Sequence, residues 1–503
     1  VMDFTIADVR ITAQGSPRQF GSGFIYPNGK INIEHPWGQT SYYRHGWNSW
    51  SPTRWWNLGR KPWRVWDNPE RTMTADDAAN DSAEIHRSSL VTAIEIAPDD
   101  LLLVGALSYD GANIDLSAGH IKAWSEHDNC PWFIIRGSEK LVWDEYVAAL
   151  ADALKITNRT SAQRPGPTWS SWYSWFEEIT DDIIDAEIKP AADLGYEVLQ
   201  IDDGWQRTVG DWVPNHKFSA GMADLADRII NHGMRAGLWV APFIALSDAP
   251  IVREHPELFL QDDAGFVVAG HNWGQDYYAL DLSLPQARDW AADLITTVRN
   301  WGYSHLKLDF IYAGAVAAPR KMNMSREAAY RAGIKQIRQA VGPDTYLLGS
   351  GAPIVASLGI LDGIRVGPDT APYWDVLERK CDPSAPGVLN AIRNSISRIW
   401  LSPLIDCDPD VVTIRSRSCL LPPEGSQVTV DAALVCQVAS CSDPNDWLTE
   451  AERDRVRELT AASRKKLPVT QLGRYRFDIA GKVVDFENYL NPKERVSDRW
   501  LVK

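Results

Sequence analysis

Three short apolar runs along the chain end in carboxylates, the arrangement from which acid–base and nucleophilic chemistry can be built. The run Leu306-Lys307-Leu308-Asp309 sets an ammonium and a carboxylate two residues apart, on one face of an extended strand. A neighbouring ammonium favours the ionised carboxylate, which is the form a nucleophile needs. Arg365-Val366-Gly367-Pro368-Asp369 delivers a second acid just past another apolar run. There Gly367-Pro368 turns the chain, and Arg365 lies close enough to bind hydroxyls. Ile201-Asp202-Asp203-Gly204-Trp205 carries two adjacent acids, a pair of acceptors suited to sugar hydroxyls. Adjacent side chains on a regular strand point oppositely, so both reach one ligand only if the strand end twists or turns. Asp309 and Asp369 facing each other across about 5 Å would suit double displacement at a glycosidic carbon, and ~6.5 Å or more would suit inversion.

Taken singly, each group has a structural alternative. Lys307 and Asp309 could be a plain ion pair, Asp369 a turn residue after proline, and Asp202-Asp203 a helix cap. Trp172, Trp175, Trp205 and Trp239 could be packing. The chain has 23 Trp against 12 Phe, and flat amphipathic rings serve equally to stack on sugars or to fill a core. The joint placement of the acids at successive strand ends favours a site.

The elements that must position them follow from periodicity. Up to about Tyr146, short alternating runs such as Leu101-Leu102-Leu103-Val104 are separated by Asn-Gly, Pro-Asp-Asp and Asp-Gly turn signals, which predicts a β sandwich over 1–157. Turn formers and prolines from Thr157 to Pro167 mark a boundary. From 158 to 445, apolar strands alternate with helical stretches at Asp181 to Leu194, Gln286 to Trp301 and Arg326 to Val341. Strands are expected at Trp169 to Phe176, Val198 to Asp203, Ala236 to Phe243, Leu306 to Phe310, Tyr346 to Gly349, Gly363 to Gly367, Ile399 to Ile405 and Val430 to Cys436. Such alternation implies a parallel sheet, and eight units fit a (β/α)8 TIM barrel whose active site forms at the strands' C-terminal ends. The stretch from Ile244 to His305 exceeds an ordinary connection and is expected to cover that site. Its His271-Asn272-Trp273 either touches substrate or packs. From 446 to 503 a helix over Leu448 to Lys466 and later strand-like alternation predict a small antiparallel β domain.

Composition excludes several classes. The 503 residues carry a net charge of −15 with Lys and Arg scattered, so there is no footprint for a nucleic-acid backbone. No apolar run approaches the ~20 residues of a membrane span, and Val1 to Gly15 lack the marks of a secretory leader, so a cytoplasmic location is expected. The six cysteines include no Cys-x-x-Cys pair and read as buried free thiols rather than metal ligands or a disulfide framework.

Together, Asp202-Asp203-Gly204-Trp205, Gly237-Leu-Trp-Val-Ala-Pro-Phe243, Lys307-Leu-Asp-Phe310, Leu347-Leu-Gly-Ser-Gly-Ala-Pro353 and Arg365-Val-Gly-Pro-Asp-Thr370 resemble the α-galactosidases of glycoside hydrolase family 36. His45-Gly-Trp-Asn-Ser-Trp-Ser51 resembles a loop of that family's N-terminal β domain. The resemblance implies the same three-domain layout and a retaining hydrolysis of terminal α-D-galactosyl residues in melibiose, raffinose-type oligosaccharides and aryl α-galactosides, without metal or cofactor. It implies Asp309 as nucleophile, forming a covalent glycosyl-aspartate, and Asp369 as general acid/base. Asp202 and Asp203 would bind the 4- and 6-hydroxyls, Lys307 and Arg365 further hydroxyls, and Trp172, Trp205 and Trp239 would shape the pocket. Trp47 would reach in from the N-terminal domain. An α-N-acetylgalactosaminidase or a raffinose or stachyose synthase would share this architecture. A non-catalytic carbohydrate-binding protein is the alternative from another class.

Overall fold

The computed structural model describes residues 2–6, 9–63, 84–127, 129–156, 165–376, 382–490 and 500–502. Residues 157–164 of the expected boundary run and Cys381 lie outside that set, and the other five cysteines are free thiols.

The N-terminal part is two antiparallel sheets. Six strands run in the order Met2–Ile6, Val9–Gln14, Asn28–Glu34, His120–Ser125, Ala112–Ser117, His86–Ser89. Seven run in the order Arg18–Phe20, Gly23–Tyr26, Trp132–Gly137, Asp100–Ala106, Val91–Ala97, Ser41–Arg44, Arg54–Asn57. Asn28–Glu34 alternates strictly between buried and exposed positions, as a strand with one wet face must. Asp100–Ala106 is instead buried almost throughout, because the helix Glu139–Leu154 packs against it.

The next sheet is wholly parallel. Its strands are β1 (Thr168–Ser170), β2 (Val198–Ile201), β3 (Arg235–Val240), β4 (Tyr303–Leu308), β5 (Tyr346–Gly349), β6 (Gly363–Arg365), β7 (Asp406–Asp408), β8 (Val411–Val412) and β9 (Ser440–Cys441). They lie in the order β7-β6-β5-β4-β3-β2-β1-β9-β8. Only Pro409 and Asp410 separate the two edge strands, so the sheet must curl to bring its edges together. Most strands are buried on both faces, which explains their unbroken apolar runs. Three of the helices that follow these strands start where side chains satisfy free backbone donors. Thr180 caps Asp181–Asp193, Ser325 caps Arg326–Val341, and Thr449 and Glu452 form a reciprocal capping box on Glu450–Lys465. A three-stranded antiparallel sheet, Val469–Gly473, Arg476–Ile479 and Lys482–Asp485, follows. Among the described residues no helix is long and apolar enough to cross a membrane.

Three strand expectations are corrected. Beyond Ser170 the Trp-rich run leaves the sheet for a helical turn, Trp172–Trp175. Ile399–Leu401 is a 3-10 turn, and Pro423–Cys436 is an α-helix in which proline at the first position starts a helix that continues through Val430. The strands of this region are the two- and three-residue segments β7, β8 and β9. Apolar runs do not by themselves separate a buried strand from a buried helix, and segments this short carry no period.

One buried cation fastens the N-terminal sheets to the rim of the parallel sheet. Arg398 is fully buried and donates to the carbonyls of Ser49 (2.9 Å), Val366 (3.0 Å), Gly46 (3.0 Å) and Asn48 (2.8 Å). Ser49 N–H also donates to Ala352 O at 2.9 Å, and Asn48 pairs with Pro353. The loop Gly46 to Ser51 is thereby held over β5. Arg398→Met would strand the carbonyls of Gly46, Ser49 and Val366, each costing about 1–3 kcal/mol when buried unpaired, while Asn48 O keeps the Ser51 N–H. We expect a loss of at least ~3 kcal/mol in urea unfolding followed by Trp fluorescence, and an unchanged midpoint would show that other contacts hold the loop.

Candidate active site

Parallel strands align their C-terminal ends on one rim, and there the chain forms a cavity of about 440 Å³. Asp202 and Asp203 past β2, Trp239 on β3, Lys307 and Asp309 at the end of β4, and Asp369 past β6 all line it. Trp172 from the turn after β1 joins them, as do His271, Asn272, Trp273 and Gly274 from the long segment after β3.

The two adjacent acids meet the condition for sharing a ligand, because β2 ends at Ile201 and the chain turns. Asp202 Oδ1 accepts the Asp203 N–H at 2.9 Å. Gly204 follows at φ 120°, where a side chain would collide with the Glu177 backbone. Asp202 Oδ2 accepts from Lys307 Nζ at 2.9 Å and Gln200 Nε2 at 3.0 Å. Asp203 accepts from Gln206 Nε2 at 2.6 Å and from Trp273 Nε1 at 2.8 Å. Burial still pushes the Asp203 carboxyl up to about 6, against the help of those two donors.

Asp309 is held rigidly. Its Oδ2 accepts Trp239 Nε1 at 2.8 Å, and its Oδ1 accepts the Phe310 N–H at 2.8 Å. Phe310 takes a left-handed backbone, φ 56°, a strained conformation for an aromatic residue directly beside the carboxylate. The Lys307 ammonium is the closer partner of Asp202 and stands 4.0 Å from Asp309. Burial therefore raises the Asp309 pKa above the usual value, with Lys307 and the Trp239 N–H opposing the shift. Burial also works against the ammonium, but Asp202 and Asp309 outweigh it, and Lys307 remains a firm cation.

Asp369 sits in a different setting. Its side chain is 39% exposed, against 10% for Asp309, so solvent reaches one carboxyl and scarcely touches the other. Arg365 is buried behind it, its guanidinium 3.2 Å from Asp369 Oδ1 and 2.8 Å from Asp410 Oδ2. Asp410 Oδ2 also accepts the Thr370 N–H at 2.9 Å and the Tyr173 hydroxyl. One carboxylate oxygen thus fixes the segment that carries Asp369.

Three expected site residues do not line the cavity: Arg365, Trp205 and Trp47. Trp205 is fully buried behind Trp239, donating to its carbonyl at 3.0 Å. Trp47 packs under the Arg326 guanidinium, 5.0 Å from its ring centre. Trp50, three residues on, lines the cavity instead, edge-on to Phe310 at 5.2 Å. Gly351, at φ 52°, lies against the Trp50 ring, where a Cβ would collide. Asn48 Oδ1 accepts the N–H groups of Trp50 and Ser51, and that turn decides which tryptophan faces inward. Sequence reasoning also missed Asp410. The signal was an acid beside the apolar pair Val411-Val412, too short a run to stand out.

A family model described as Melibiase matches residues 149–337. A bifunctional α-galactosidase/sucrose kinase of Mediterraneibacter gnavus is 29% identical over 150 residues, 28% of this chain and 15% of that one. An A type blood α-D-galactosamine galactosaminidase of Flavonifractor plautii is 31% identical over 155 residues, 29% of this chain and 14% of that one. The chain thus spans only a small part of these curated relatives. Among solved structures, an α-galactosidase from Thermus thermophilus in complex with p-nitrophenyl α-D-galactopyranoside matches with a TM-score of 0.88 at 36% identity, over 96% of this chain and 98% of that one. A GH36 α-galactosidase from Geobacillus stearothermophilus matches with a TM-score of 0.59 at 14% identity, over 93% of this chain and 67% of that one, a likeness of fold.

The burial of Asp203 has a measurable consequence for stability. A carboxyl whose folded-state pKa is raised gives its full stabilisation below the unfolded value near 4, and that stabilisation is lost as pH rises through about 6. Between pH 4.5 and pH 7.5 this group alone should lower stability by about 2 kcal/mol. Asp203→Asn should remove that share of the pH dependence, so thermal unfolding of variant and parent at the two pH values should differ by that amount. Parallel pH dependences would contradict the assignment.

Proposed function

The chain belongs to the α-galactosidases of glycoside hydrolase family 36, and from this membership we propose that it hydrolyses terminal, non-reducing α-D-galactosyl residues with retention of configuration. One observation carries the reading: Asp309, buried and tightly bonded, and Asp369, half-open to solvent, line a single cavity with Asp202, Asp203 and Lys307. Structures of the Thermus enzyme contain an aryl galactoside or stachyose, which supports aryl α-galactosides and raffinose-type oligosaccharides as substrates here.

In this reading Asp309 attacks the anomeric carbon while Asp369 gives its proton to the glycosidic oxygen. The bond from that carbon to the leaving oxygen breaks, the aglycone departs as an alcohol, and a galactosyl ester remains on Asp309. Asp369, now a carboxylate, takes a proton from water. The water oxygen attacks the same carbon, the ester bond breaks, and galactose leaves with both carboxyls restored. Asp202, Asp203 and Lys307 bind ring hydroxyls, and Trp172, Trp239, Trp273 and Trp50 shape the walls. Arg365 acts through Asp369 rather than on the sugar, and Trp205 supports Trp239 from behind.

We take β7 and β8 as one interrupted strand, which makes eight positions and closes the parallel sheet as a (β/α)8 barrel. The N-terminal sheets are then the β sandwich over 1–157. The helix Glu450–Lys465 follows β9 as the other helices follow their strands, and its Thr460 hydroxyl donates to Leu194 O at 2.8 Å. It counts with the barrel, so the C-terminal β domain begins after Lys466 instead of at 446.

Asp309→Ala should abolish turnover of p-nitrophenyl α-galactoside. Asp369→Ala should slow raffinose, whose leaving group needs a proton, by about 10²–10⁴-fold, and the nitrophenyl substrate far less. Equal losses on both substrates would remove Asp369 from the acid role. The same assay with aryl α-N-acetylgalactosaminide and α-glucoside should give little turnover, and preference for the former would identify a galactosaminidase.

A further inference from the structure

A second constellation lies away from the sugar cavity, where the N-terminal sheets meet the helix Arg326–Val341. Asp110 is in the turn before strand Ala112–Ser117, His127 follows strand His120–Ser125, and Glu327 is in the helix's first turn. Each offers one ligating atom, and the three atoms lie within 4.8 Å of one another. We propose that Asp110, His127 and Glu327 bind one divalent cation of the Zn²⁺ type, which ties the N-terminal sheets to the parallel-sheet unit.

Glu327 carries the argument. Its side chain is 1% exposed, and among the described residues neither carboxylate oxygen accepts a hydrogen bond. The Arg326 guanidinium offsets part of this charge as a buried ion pair, but it donates no hydrogen bond to either oxygen. Arg326 Nε lies 3.4 Å from Glu327 Oε1 without hydrogen-bond geometry, while Arg326 Nη2 donates to Glu126 Oε1 at 2.8 Å. A buried carboxylate without donors is costly, and a coordinated cation is one of the few arrangements that satisfies it. The neighbours are disposed to share the ion. Asp110 uses Oδ1 to accept the Ser325 hydroxyl at 2.7 Å, which leaves Oδ2 for a cation. His127 is exposed and gives the ion a way in. One imidazole nitrogen with two carboxylate oxygens, completed by water, suits Zn²⁺, which takes mixed nitrogen and oxygen ligands, whereas Mg²⁺ and Ca²⁺ favour shells of oxygen alone. None of the three residues lines the sugar cavity, so the ion would be structural.

The test uses the full chain, stripped with chelator and dialysed, then titrated calorimetrically with ZnCl₂ alone. We expect one equivalent bound and a melting temperature several degrees higher at saturating Zn²⁺, with no such effect from MgCl₂. Both effects should vanish in Glu327→Gln and in His127→Ala, the latter altering only an exposed side chain. Absence of a bound equivalent, or an equivalent that survives both substitutions, would overturn the proposal.

Discussion

The Lys307 ammonium is the charge on which the rest of the cavity depends. Four carboxyls line the cavity with it, and three of them, Asp202, Asp203 and Asp309, are almost wholly buried. Carboxylates so close and so dry oppose one another's ionisation. Lys307 bonds directly to Asp202 and faces Asp309 from 4.0 Å, so one cation holds two anions in place. Indole N–H groups supply much of the remaining compensation, from Trp239 to Asp309 and from Trp273 to Asp203. The wealth of tryptophan is thus explained in part by donors without charge, which steady a carboxylate and leave an apolar face to the cavity.

That arrangement is completed by parts distant in sequence. The Gly46 to Ser51 loop, held by Arg398, brings Trp50 against Phe310. The segment after β3 brings Trp273 over Asp203. On the opposite side Asp410, between the two edge strands, holds both Arg365 and the Thr370 amide. The curl that joins the sheet's edges therefore also positions the arm carrying Asp369. Fold and site rest on the same short connection.

The residues at ordinary strand ends were legible because a period-two pattern and a polar terminus coincide there. Asp202, Asp203, Lys307, Asp309 and Asp369 all belong to this group, and all reach the cavity. What escaped depends on turns and second layers. Trp47 and Trp50 share one loop, and only the Asn48 hydrogen bonds select between them. Trp205 carries the right motif yet stands one layer back. Arg365 is buried among acids that the sequence separates by up to 45 residues. The strands β7 to β9 were misplaced because two or three residues show no alternation, while nearby helical runs are equally apolar.

The central claim is that Asp309 and Asp369 work as a nucleophile and an acid/base on one α-galactoside. Proton NMR of the first sugar released from p-nitrophenyl α-galactoside tests it most directly, before mutarotation scrambles the anomers. The account predicts α-galactose as the initial product. Initial β-galactose would mean a single displacement by water, and would contradict it.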